Sequence, residues 1–212
     1  ETTDSTQVRV DTVAPTGTIQ PDDDTWRTGT VTAVITAEDP GTASASGIAA
    51  VCVQRGNDCD ELTADADGLY RTDVTVPAGG DGTPSITVTI TDVAGNPTDV
   101  GPVTLKIDNK APELTLESDQ IGTWTNTPVA VSASADDGTG SGIAELCLAN
   151  VCDPTNPKTT TVDPGIGNVI ERTFIASATD AVGNLATAEP LTVRVDRAVP
   201  TVSVTPDTDA AS

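Results

Sequence analysis

Val31-Thr-Ala-Val-Ile-Thr-Ala37 and Val129-Ala-Val-Ser-Ala-Ser-Ala135 decide the fold. In each, every second residue is Val, Ala or Ile. The residues between are mostly Thr, Ser or Ala, which is the two-residue period of a strand with one buried face. The same alternation runs through Ile86, Val88 and Ile90, with Phe174, Ala176 and Ala178 as counterparts, and through Val103, Leu105 and Ile107, matched by Leu191, Val193 and Val195. Almost no stretch has helical periodicity. Turn residues punctuate the runs at Pro40-Gly41, Gly79-Gly-Asp-Gly82, Ala94-Gly-Asn96, Gly138-Thr-Gly140 and Gly183-Asn184. About seven short strands per unit predict an all-β chain of tandem Ig-like antiparallel β-sandwiches arranged end to end.

The runs recur because the chain repeats. Gln7-Val-Arg-Val-Asp-Thr-Val-Ala-Pro-Thr16 returns as Thr104-Leu-Lys-Ile-Asp-Asn-Lys-Ala-Pro-Glu113 and again as Thr192-Val-Arg-Val-Asp-Arg-Ala-Val-Pro-Thr201. The step is 97 residues from Asp11 to Asp108 and 88 from Asp108 to Asp196, each the size of one small domain. The expected organisation is residues 1–10 as the last strand of a preceding repeat, 11–108 and 109–196 as two sandwiches, and 197–212 as the start of a following one. Only about four residues, ending in Pro112, link the units, so the expectation is a rod of repeats.

Three motifs in order, Val-Asp-x-x-x-Pro at the junctions (Ile-Asp at 107–108), Ser46-Gly-Ile48 with Ser141-Gly-Ile143, and Thr91-Asp-x-x-Gly-Asn96 with Thr179-Asp-x-x-Gly-Asn184, carry a resemblance. Together they resemble the bacterial Ig-like repeats of large cell-surface proteins and are similar to hyalin-type repeats. The resemblance covers both units. It implies an extracellular stalk, an adhesin extender or an accessory module of a secreted enzyme, with neighbouring repeats as the first partners.

The chain has 32 acidic and 10 basic residues, a net charge of −22. Such a surface repels nucleic acid and anionic membranes and attracts divalent cations. No apolar run approaches the ~20 residues that span a bilayer, so no membrane insertion is expected in this segment. With no His, no phosphate-binding Gly-rich loop and no Gly-x-Ser-x-Gly elbow, an enzyme is not expected. Four aromatic residues leave thin aliphatic cores, which often need staples or metals.

Each unit has one cysteine pair, Cys52 with Cys59 and Cys147 with Cys152, just after Ser-Gly-Ile. The absence of His argues against zinc, and the spacing is not Cys-x-x-Cys, so one disulfide per unit and an oxidising compartment are expected. Parity places Cys52 opposite Val51 and Val53, and Cys147 opposite Leu146 and Leu148, away from the core. Ile48 and Ile143 fall out of phase with Val51 and Leu146. Either a bulge interrupts the strand or these residues cap the core end.

In an Ig-type sandwich three chain segments meet at one end: the start of the first strand, the loop after the second and the loop between the last two. Each unit places acids in all three. The first offers Asp11, Glu38 with Asp39, and Asp92 with Asn96; the second offers Asp108, Asp136 with Asp137, and Asp180 with Asn184. Calcium takes six to eight oxygens, and three loops can supply them. The same residues also read as turn caps, or as partners of Arg9, Lys106 or Arg194. Asp65-Ala-Asp-Gly68 has the start of a calcium loop without the later ligands, and Asp22-Asp-Asp24 reads as solvated.

Lys106 opposes Leu105 and Ile107 in parity, so it is expected to face outward in an ion pair. Trp26 and Trp124 occupy equivalent positions before the second strand. They either cover a core end or, if exposed, make a possible contact with a surface glycan or protein. A third reading is a filament subunit whose terminal strands pair with other chains.

Overall fold

The computed structural model describes residues 9–41, 45–56 and 58–205. The chain forms two compact units, the first up to Lys110 together with Thr139–Ser141 and the second from Ala111–Gly138 and from Gly142 onward. Among the described residues all regular structure is strand.

The first unit contains β1 (Thr16–Gln20), β2 (Trp26–Arg27), β3 (Val31–Glu38), β4 (Ile48–Arg55), β5 (Asp58–Leu62), β6 (Tyr70–Val74), β7 (Asp81–Gly82), β8 (Ser85–Asp92), β9 (Pro97–Thr104) and β10 (Lys106–Asp108). One sheet has the order β1-β3-β6 and the facing sheet β5-β4-β8-β9. The second unit repeats this with β11 (Glu113–Ser118), β12 (Trp124–Thr125), β13 (Val129–Asp136), β14 (Ile143–Leu148), β15 (Val151–Asp153), β16 (Lys158–Val162), β17 (Val169–Phe174), β18 (Ala176–Asp180), β19 (Leu185–Thr187) and β20 (Leu191–Asp196). Its sheets run β11-β13-β16, β15-β14-β18-β19 and β12-β20-β17. Each unit is an Ig-like sandwich, so the expected fold class is the observed one.

The strands number ten per unit rather than about seven because long strands break. In the first unit the final strand pairs with β8 as β9, then continues as β10 beside β2 and β7. Pro102 cannot donate a ladder hydrogen bond, and the register of β8 with β9 shifts between Ile86 and Val88. The β2–β10 and β12–β20 pairs are parallel, a departure from the all-antiparallel expectation.

The alternating residues form the cores. Val31, Ala33, Ile35, Val51, Ile86, Val88, Ile90, Leu105 and Ile107 are buried together in the first unit, and Val129, Val131, Leu146, Phe174, Val193 and Val195 in the second. The out-of-phase isoleucines are explained by bulges. Pairing of β4 with β8 shifts between Ile48 and Ala50, and that of β14 with β18 between Ile143 and Glu145.

Disulfides join Cys52 to Cys59 and Cys147 to Cys152. Each pins a strand to the neighbour it leads into. Cys59 and Cys152 are exposed and Cys147 half-buried, whereas Cys52 is buried, against the parity expectation, though outside the core cluster. Closing so short a loop contributes only ~2 kcal/mol by chain entropy, a supplement to a thin core.

Residues 1–8 of the expected leading strand and 206–212 of the expected following repeat lie outside the described residues. Arg9, Val10 and 197–205 are in no strand.

Candidate functional site

One end of the first unit gathers three carboxylates, each brought by a different turn. Asp11 precedes β1, and its Oδ1 accepts the Val13 N–H at 3.0 Å in a local turn that Pro15 ends. Asp39 follows β3. Asp92 ends β8 and is 1% exposed. One carboxylate oxygen from each lies within 4.8 Å of the others.

The backbone around them is built to hold acids. Asp11 Oδ2 accepts the Ser46 N–H at 2.7 Å, and Asp39 Oδ2 accepts the Gly47 N–H at 2.6 Å. Gly47 has φ +90°, a conformation that costs a side-chain-bearing residue, and its carbonyl accepts the Val93 N–H. This accounts for Ser-Gly-Ile as a motif: Ser and Gly supply N–H groups to two carboxylates, and Ile opens β4. In Thr-Asp-x-x-Gly-Asn, Asp92 Oδ1 accepts the Asn96 N–H at 2.8 Å and Oδ2 accepts Asn96 Nδ2 at 2.7 Å. Gly95, at φ +94°, donates to the Asp92 carbonyl.

Asn96 Nδ2 also reaches the Asp11 carbonyl at 3.3 Å, so this side chain braces the carboxylates as a donor. The Val13 and then the Ser46 N–H groups hold the Asp11 carboxyl below its ordinary range. These donors leave one exception. Asp39 Oδ1 is buried and accepts no hydrogen bond among the described residues.

The three oxygens suit a calcium ion. Oxygens bound at roughly 2.3–2.6 Å to one calcium lie at most about 5 Å apart, which the cluster satisfies. The donor set is oxygen alone. A buried acceptor without a donor is costly unless something positive faces it, and three close carboxylates repel one another.

In the second unit Asp137 Oδ2 accepts the Gly142 N–H at 2.6 Å, and Asp180 accepts the Asn184 N–H at 2.8 Å and Nδ2 at 2.6 Å. A carboxylate oxygen of Asp137 lies within 4.8 Å of one of Asp180. The sequence places Asp108, itself fully buried, at the position of Asp11. Asp136 is not among them. It is exposed at the end of β13 and caps the Gly138 N–H. Glu38 is likewise exposed at the end of β3.

Other acids pair with bases: Asp23, Asp24, Asp60, Asp65, Asp67, Asp153, Asp163 and Glu171. The Asp22-Asp-Asp24 stretch is exposed, as expected, and two positive side chains from β2 and β10 fall beside it: Asp23 binds Arg27 and Asp24 binds Lys106. Lys106 also stands 5.8 Å from the ring of Trp26. Asp65 and Asp67 both bind Arg71, which ties that turn to β6. Arg194 pairs with Glu171. Trp26 is half-buried, whereas Trp124 is 54% exposed beside Asn126 and Asp196 in a shallow depression.

Arg27 holds the Asp23 carboxyl at about 2, Arg71 does the same for Asp67, and Lys158 for Asp153. Each value lies below the ordinary 3.8, so the stabilisation these pairs contribute is complete above the ordinary value. It is lost as the pH falls through about 2. Urea midpoints followed from neutral pH downward are expected to hold down to the ordinary carboxylate range and to fall steeply below it.

No protein-family model matches the sequence, and no curated protein is similar to it. Solved structures are similar in strand arrangement. An Escherichia coli adhesin, FdeC, is 15% identical, with 88% of this chain and 65% of that one covered and a TM-score of 0.46. Fibronectin(III)-like modules of Clostridium thermocellum CbhA are 13% identical, covering 85% of this chain and 93% of theirs, with a TM-score of 0.38. The D00-D0 domain of intimin is 12% identical, covering 84% and 98%, with a TM-score of 0.40.

Proposed function

We propose that this chain is a structural spacer segment of an extracellular or cell-surface repeat protein, of stalk or adhesin type, whose sandwich ends take calcium. The observation that carries the calcium reading is the buried, donorless Asp39 Oδ1 inside a cluster of three carboxylates. Asp11, Asp39 and Asp92 would hold the ion. Bound there, the ion would offset the repulsion among the three charges and tie the lead-in to β1, the β3–β4 loop and the β8–β9 loop together.

The wider reading is supported by the repeated sequence, the two disulfides, which fit an oxidising compartment, and the −22 charge, which keeps a long array soluble. No catalytic role is proposed. A second reading, an accessory module that binds a surface glycan or protein, is favoured by the exposure of Trp124 beside Asn126 and Asp196.

Melting of the whole chain in calcium, in magnesium and in chelator tests the calcium reading. A rise in Tm with calcium that magnesium does not match is the expected result, because magnesium demands a tighter octahedral shell. Identical melting in all three would remove it.

A further inference from the structure

The second unit carries a cleft that its repeat partner is not built to form. On β16, Val162, Thr160 and Lys158 lie across from Val129, Val131 and Ala133 of β13, all three in the core. Residues directly opposite share a face, so Lys158 and Thr160 point inward. Lys158 is only 8% exposed. On β17, Arg172 has the parity of the fully buried Phe174; its side chain is exposed, and its guanidinium lies 5.0 Å from that ring.

The first unit has different residues in both places. There β6 sets Tyr70 opposite Ile35, the position of Lys158, and Tyr70 packs on the core. Asp92 and Asp180 end equivalent strands 88 residues apart (180 − 92), so the counterpart of Arg172 is Pro84 (172 − 88). A tyrosine and a proline are thus replaced by two cations.

These cations line a cleft of about 410 Å³ with Leu148, Val151, Asp153 and Thr160, a volume in the range of small-ligand sites. Lys158 Nζ binds Asp153 Oδ1 at 2.5 Å. Arg172 makes no ion pair or hydrogen bond among the described residues, although Arg27, Arg55, Arg71, Arg194 and Arg197 all bind carboxylates. In a chain with 32 acids, the exposed Arg172 guanidinium at this cleft has no carboxylate of the described residues on it.

Lys158 and Asp153 cancel, and Arg172 leaves the cleft one positive charge. A guanidinium fork matches a carboxylate, while Lys158, Asp153 and Thr160 offer further donors and acceptors to hydroxyl groups. Leu148 and Val151 supply an apolar wall. The net charge of −22 repels polyanions at long range, so the ligand best suited carries one carboxylate on a hydroxylated body. The geometry points to a binding site for a uronic-acid sugar residue, its carboxylate on Arg172 and its hydroxyls on the Lys158–Asp153 pair.

The test is an NMR titration of the whole chain with glucuronate, with glucose and acetate as comparisons. Glucuronate is expected to shift the amides of residues 148–160 and 172. Arg172→Gln should weaken binding about tenfold, the loss of one charge-assisted hydrogen-bonded pair. Lys158→Tyr places in the second unit the side chain that the first unit carries there, and it should also weaken binding while leaving the remaining amide spectrum in place. The proposal is overturned if glucose matches glucuronate, if acetate alone binds as tightly, if the shifts fall elsewhere, or if Arg172→Gln titrates like the parent chain.

Discussion

Replacing Phe174 by alanine is expected to destabilise the second unit by about 3–5 kcal/mol. Phe174 is the largest fully buried side chain among the described residues. It sits in the same core as Val129, Val131, Leu146, Leu148, Leu191, Val193 and Val195, with Ala133, Ala176 and Ala178 buried beside them. Alanines cannot grow into the space, and the surrounding valines are stiff at χ1 and held by both sheets, so the hole would stay largely open. A domain of this size has about 5–15 kcal/mol in total, so the loss takes a large share of it. The first unit keeps an intact aliphatic core of its own. Urea unfolding followed by circular dichroism should therefore change from the parent profile to one with an early transition from the second unit. A loss under about 1 kcal/mol would show that the core is looser than its burial implies.

The second large effect is expected from calcium. An ion that binds only the folded state stabilises it by about 2.7 kcal/mol at a hundred times its Kd. Without the ion, Asp11, Asp39 and Asp92 hold their charges within 4.8 Å of one another, offset only by backbone N–H groups and Asn96. Asp39→Asn removes one of these charges and keeps the shape. In chelator the variant should match the parent within about 1 kcal/mol, because lost repulsion offsets the weakened bond to the Gly47 N–H. In calcium it should lose the added stability of the first unit, and the difference between the two conditions isolates the ion's share.

Much of this was readable in the sequence, and the reason is periodicity. Alternation of Val, Ile and Ala with Thr and Ser names the buried face of β3, β8, β13 and β18, because the side-chain period of two leaves no alternative once one face is apolar. The repeat then doubles each observation. Parity also places Lys106 outward, but its partner Asp24 comes from a loop about eighty residues earlier, which no local pattern identifies.

The acids show the same division. That three segments converge follows from the fold class, but which acid of a pair turns inward does not. Asp137 and Asp136 are neighbours in sequence, yet one is buried and the other caps a turn in solvent, because the strand ends between them. Asn96 has ligand-like oxygen chemistry, and only the geometry makes it a donor to Asp92. The Lys158–Arg172 cleft is hidden for another reason. Two cations fourteen residues apart mean nothing until the register of β13 with β16 turns one inward and the ring of Phe174 lies beneath the other.

Calorimetric titration of the metal-free chain with calcium tests the central claim most directly, with Asp39→Asn titrated in parallel. The expected result is saturable binding to the parent chain and the loss of one equivalent in the variant. Absence of binding to the parent, or an unchanged stoichiometry in Asp39→Asn, would contradict a calcium site at Asp11, Asp39 and Asp92.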